Sequence, residues 1–119
     1  MIGKAEFEAL LAEPLRTKVV IVNEKEFRVR EMTESQGADY ELALQTNGKT
    51  DMNKARRAML AIMLIDSEGN RICESGDQLL NLPLSYASPI WDVCLELNRY
   101  SEKEIKQLVK NSEGVEGSA

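Results

Sequence analysis

A chain of 119 residues has room for one domain with a modest core, and 43% apolar with 29% charged residues is the composition of a folding chain rather than a disordered one. The balance of 15 Lys and Arg against 20 Asp and Glu leaves a net charge of −5, the wrong sign for holding phosphate backbones, so nucleic acid is not an expected partner. With no histidine in the chain, imidazole catalysis and Cys/His zinc sites are excluded. The widely separated Cys73 and Cys94 read as two buried thiols of a reducing compartment.

From the N-terminus, Phe7, Leu10 and Leu11 lie at i, i+3 and i+4, predicting a short amphipathic helix over Ala5 to Ala12 that Pro14 ends. Whether it docks on the rest of the chain is left open by the pattern. This acid-bearing start is not a signal peptide, and no apolar run is long enough to span a membrane, which places the protein in the cytosol. The β-branched run Val19 to Val22, then Phe27 and Val29 alternating with Arg28 and Arg30, predicts a β-hairpin turning around Asn23 to Glu26.

Thr33 and Gln36 form a capping box that starts a helix. Its stripe is Tyr40, Ala43 and Leu44 with Leu42 beside it, and Asn47 and Gly48 suit its C-terminal end. Asp51 is placed to cap the next helix, whose run Ala58 to Ile65 is apolar without a break. Such a segment is buried on every side, which predicts the central helix of the core, closed by Gly69 in "DSEGN"; the alternative, which periodicity alone does not settle, is that part of Leu64 to Cys73 is extended. A short turn follows from about Gly76 to Leu80.

Ser88 and Pro89 read as the N-cap and first residue of a helix running to about Asn98; the competing reading starts it at Pro83 and makes Pro89 an internal kink. Ser101 and Glu104 form a second capping box, and Ile105, Leu108 and Val109 give the last helix one apolar stripe. The end, "NSEGVEGSA", carries nothing to anchor it and is expected to be disordered. The chain therefore reads as a mainly α, small helical domain with an N-terminal β-hairpin: an N-terminal helix over 1–14, a hairpin-plus-helices domain over 15–110, and a disordered tail over 111–119.

The carboxylate pairs Asp66 with Glu68 and Glu74 with Asp77 sit among Gly and Ser and read as solvated turns, and "DSEGN" lacks the ligand run of a calcium loop. "GKT" at Gly48 to Thr50 lacks the upstream glycine of a phosphate loop and reads as an interhelix connection. No catalytic group, cofactor or metal is assigned, and the expectation is a binding protein, not an enzyme. In the helix around Trp91, the apolar residues Ile90, Trp91, Val93, Cys94, Leu95 and Leu97 cover roughly 200° of arc, about twice what one buried face needs. Two contacts are implied. One is the core; the other is either a second wall of the same domain or a partner, which makes Trp91 and Leu95, with Met59 and Met63, candidates for a protein-interaction surface.

"ARRAMLAIMLIDSEGNRI", a leucine-rich spacer with a proline, and "WDVCLELNRYSEKEIKQLVKN" together resemble the tail assembly chaperones of long-tailed (siphovirus-type) bacteriophages and prophages, over about Arg28 to Asn111. The runs that carry the likeness are "D-x-x-G-N-R" (Asp66, Gly69, Asn70, Arg71) and "L-E-L-N-x-x-S" (Leu95, Glu96, Leu97, Asn98, Ser101), followed by a terminal "KN". The resemblance implies a protein of the host cytoplasm, absent from the mature virion, that keeps the tape measure protein soluble during assembly. It also implies a longer form made by ribosomal frameshifting that recruits the tail tube protein, with Lys110 and Asn111 as the candidate frameshift position. Self-association into a homo-oligomer along such a client is expected because many weakly bound copies can coat a long rod that one copy cannot. The alternatives are a minor structural tail protein retained in the virion and a small helical regulatory or interaction domain.

Overall fold

The computed structural model describes the backbone of residues 1–46 and 50–118 and the side chains of 1–45 and 50–111. The described elements are α1 (Lys4–Leu11), β1 (Thr17–Val22), β2 (Lys25–Arg30), α2 (Glu34–Thr46), α3 (Met52–Met63), β3 (Leu64–Ile65), a 3-10 turn (Gly76–Leu79), α4 (Leu84–Asn98) and α5 (Glu102–Ser118). The strands form one antiparallel sheet in the order β1-β2-β3. The mainly α architecture with an N-terminal hairpin is the one read from the sequence.

The hairpin is tighter than expected. Val22 pairs with Lys25, so only Asn23 and Glu24 turn, both with positive φ (50° and 65°). This is the left-handed pair that matches the twist of the flanking strands. Asparagine tolerates that conformation, whereas glutamate adopts it at a steric cost. The register puts Val20 opposite Phe27 and Lys18 opposite Val29, which turns Val20 and Val29 into the core.

Both capping boxes form as predicted. Gln36 N–H donates to Thr33 Oγ1 while Thr33 N–H donates to Gln36 Oε1, and Ser101 and Glu104 repeat the exchange at the start of α5. Asp51 caps α3 by accepting from Lys54 N–H at 2.8 Å. On α2 the stripe is narrower than predicted, since Tyr40 and Leu44 are buried but Ala43 is exposed. The expected cap at Asn47 and Gly48 lies outside the described residues.

The apolar run splits between two elements. Helix α3 stops at Met63, and Leu64–Ile65 continues as β3, pairing with Val29 and Arg28. The extended alternative is thus realised immediately after the helix. The "DSEGNR" turn explains how: Asp66 Oδ1 accepts from the N–H groups of Glu68 and Asn70, and Gly69 takes φ of 87°. Arg71 then folds back to donate to the Ala61 carbonyl near the end of α3, where carbonyls lack helical partners. After the turn, Gly76 approaches α3 so closely that a Cβ would stand 3.1 Å from the Arg57 carbonyl carbon, a position only glycine fills without displacement.

Helix α4 corrects the reading of Ser88 and Pro89 as its start. It begins at Leu84, directly after Pro83, and Pro89 lies within it. Starting earlier gains a turn of helix for one missing backbone donor. Its end at Asn98 is as predicted, closed by Arg99 in the left-handed region with Tyr100 N–H bonding the Leu95 carbonyl and Arg99 N–H the Glu96 carbonyl, a Schellman closure. In α5, Ile105 and Val109 are buried, Leu108 is half-buried, and the helical backbone is described as far as Ser118. Val109 is its last buried residue among those with described side chains.

Replacing Glu24 by glycine removes the strained left-handed side chain and creates the Asn-Gly pair favoured in such turns. Glu24→Gly is expected to raise stability by about 0.5–1 kcal/mol in urea unfolding, with an unchanged denaturant slope.

Candidate protein-interaction surface

All four residues proposed for an interaction surface lie inside the domain. Met59 and Met63 are fully buried, Trp91 is 2% exposed and Leu95 is 7% exposed. They belong to one cluster with Val20, Val29, Tyr40, Leu60, Ile90, Cys94 and Ile105. The wide apolar arc of α4 is real, and its second wall is the chain's own hairpin.

Several polar contacts lock that arrangement. Helix α4 packs on α3 and on both β1 and β2. Arg16 Nη2 donates to the Leu97 carbonyl at 3.0 Å, and Lys18 reaches Glu96 at 3.3 Å. Trp91 Nε1 donates to Glu102 Oε1 at 3.4 Å, so even the indole's polar tip is used at the start of α5. Asn98 ties three elements together. Its Oδ1 accepts from Met32 N–H at 2.9 Å and its Nδ2 lies 3.0 Å from the Met63 sulfur, joining the entry of α2, the end of α3 and the end of α4. The "L-E-L-N-x-x-S" run is therefore a set of packing and capping residues.

A cleft of about 420 Å³ runs between Arg16, Glu31, Thr33, Glu41, Asn98 and Tyr100. Two pairs of its polar groups bond each other, Arg16 with Glu31 and Tyr100 with Glu41. Arg16 donates to both carboxylate oxygens of Glu31, through its backbone N–H at 2.8 Å and its Nε at 3.1 Å, which lowers the Glu31 pKa. Tyr100 donates its hydroxyl to Glu41 at 3.0 Å, and burial followed by that carboxylate pushes its pKa up to about 12. Among the described residues no group of three or more His, Cys, Asp or Glu side chains converges in a way that would hold a metal ion. Asp66, Glu68, Glu74 and Asp77 are exposed, as expected for turn residues.

Both thiols are buried as expected. Burial alone pushes Cys94 up to about 12, while at Cys73 burial raises the value and the nearby Arg71 partly offsets it. Lys110 and Asn111 are exposed on α5.

The exposed apolar side chains lie elsewhere, mainly toward the N-terminus. Helix α1 buries none of its residues: Phe7 is 53%, Leu10 48% and Leu11 74% exposed. The outer side of β1 adds Val19 and Ile21, at 46% and 66%. The i, i+3, i+4 spacing of α1 was legible in the sequence; what periodicity does not show is that the core is already complete without it. Among the described residues, no helix is long and apolar enough to cross a membrane. No family model, curated protein or solved structure matches the chain.

Trp91→Ala should cost about 3–5 kcal/mol in chemical unfolding, the range for deleting a buried aromatic, whereas a surface role would leave stability nearly unchanged. In thiol labelling at pH 8, Cys94 should react only through global unfolding. Cys73, held in the loop before the 3-10 turn, should react through smaller local openings and therefore faster.

Proposed function

We propose that this chain is a tail assembly chaperone of a long-tailed bacteriophage or prophage, which binds the tape measure protein and keeps it soluble in the host cytoplasm during tail assembly. The observation that carries a binding role is helix α1, an apolar stripe of Phe7, Leu10 and Leu11 that the folded domain leaves uncovered. The ordered runs "D-x-x-G-N-R" and "L-E-L-N-x-x-S" support the identity of the client through their resemblance to that chaperone family.

The mechanism is occupancy. Eight residues of helix are marginal when isolated, so α1 gains order by laying its stripe on an apolar segment of the client. The net charge of −5 disfavours collapse of the coated complex into aggregates. Several copies bound along one long client act together, which is where a homo-oligomer belongs in this reading. A frameshift near the exposed Lys110 and Asn111 would give a longer form that recruits the tail tube protein, and neither form would remain in the virion. The sharpest rival is a minor structural tail protein, which would be found in purified particles.

Co-expression of the tape measure protein with this chain should move it from the pellet to the supernatant. The double variant Phe7→Asp, Leu11→Asp should lose that effect while keeping the parent's melting temperature, because neither residue is packed. A parent chain that leaves the tape measure protein insoluble contradicts the client, and a double variant as effective as the parent contradicts the role of α1. Mass spectrometry of purified virions that finds this chain at structural stoichiometry favours the rival.

A further inference from the structure

We infer that strand β1 is a homodimerisation edge, pairing antiparallel with β1 of a second copy about a two-fold axis through Val19. This deepens the self-association part of the functional reading, and it stands on the geometry of the pure chain whatever the client is.

The first observation is which backbone groups of β1 are free. The Arg16 carbonyl accepts from Glu31 N–H at 2.9 Å, so Arg16 and Glu31 form a hydrogen-bonded pair. Alternation then makes Lys18–Val29, Val20–Phe27 and Val22–Lys25 the other bonded pairs of the hairpin. Thr17, Val19 and Ile21 consequently direct both N–H and C=O away from β2, to the open side of the sheet. These groups have no partner among the described residues.

The second observation is that this edge lacks the devices by which proteins protect such strands. The sequence TKVVIV has no proline or bulge, and its single charge, Lys18, is tied down to Glu96. Four consecutive β-branched residues, Val19 to Val22, are strong strand formers. The opposite edge of the sheet is different: β3 has two residues, and its outer side already bonds the chain through the Ile65 to Arg71 bridge and Ile72 N–H to the Leu64 carbonyl.

These features select a second copy as the occupant. Three outward-directed residues spaced by two are self-complementary about the central one. A two-fold axis at Val19 pairs Val19 with Val19 and Thr17 with Ile21 of the partner copy, each pair exchanging both of its hydrogen bonds. In that register Lys18 faces a valine, Val20, so no like charges meet across the join. Val19 and Ile21, exposed in the single chain, become one continuous apolar strip with their equivalents. Because β1 is the one edge of the sheet open along its whole length among the described residues, β3 covering part of the other, the contact closes as a dimer instead of growing into a filament.

Sedimentation equilibrium of the pure chain should show a concentration-dependent rise from 13.4 kDa toward twice that mass. Val19→Lys and Val19→Glu should each remain at the monomer mass with parent-like circular dichroism, and an equimolar mixture of the two should regain the dimer, since lysine then meets glutamate across the axis. A measurement independent of folding in the variants is available on the parent: a mixed-label sample should give an intermolecular NOE between Lys18 Hα and Val20 Hα, the close non-hydrogen-bonded pair of this register. A parent chain that is monomeric at all concentrations, variants that associate like the parent, a mixture that stays monomeric, or a dimer lacking that NOE would overturn the inference. So would a β1 edge that binds an extended client peptide while the free chain stays monomeric.

Discussion

The fold depends on the burial of one segment, Ala58 to Ile65, which has no polar side to offer water. A helix can carry such a run only if something covers it all round, and much of the chain is arranged to do so. Helices α2, α4 and α5 and the 3-10 turn pack against α3, with Met59, Leu60 and Met63 at most 1% exposed. Where a longer helix would need still more cover, the chain changes state at Leu64 and joins the sheet, so the last two apolar residues are buried by strand pairing instead. Arg71 and Asn98 stabilise that change of state by bonding the Ala61 carbonyl and the Met63 sulfur at the end of α3.

This constraint explains why the most suggestive surface in the sequence is interior. An apolar arc of roughly 200° implies two walls, and arc width alone cannot say whether the second wall is supplied by a partner or by a distant part of the same chain. Here it is supplied by the hairpin, about 80 residues upstream, as the Arg16 contact to Leu97 shows. Once α4 is enclosed, exposed apolar area is concentrated on α1 and the outer side of β1. The proposed contacts accordingly lie in the N-terminal third of the molecule.

Local signals were the most legible. The Thr33–Gln36 and Ser101–Glu104 boxes, the Asp51 cap and the Ile105 stripe each depend on neighbours within one turn, and all are present. Signals that depend on tertiary context were not. Ser88 and Pro89 suited a helix start locally, but packing of Ile90 and Trp91 against the core tolerates a proline inside a longer helix, so the start moved to Leu84. The turn at Asn23 and Glu24 carries no glycine to mark it, and the strand register alone forces both residues left-handed. The two runs that resemble the chaperone family prove to be structural here: Asp66, Gly69 and Arg71 close α3, while Leu95, Leu97, Asn98 and Ser101 pack and cap α4 and α5. They specify a scaffold, and the proposed contacts lie outside them.

Site-resolved amide hydrogen exchange tests this division most directly. The account predicts that α3 and α4 exchange only by global opening and that α1 exchanges nearly as fast as unstructured chain. It also predicts that the edge amides of Thr17, Val19 and Ile21 are unprotected in dilute solution and become protected as concentration rises. Slow exchange of α1 in the isolated chain, or edge amides indifferent to concentration, would contradict it.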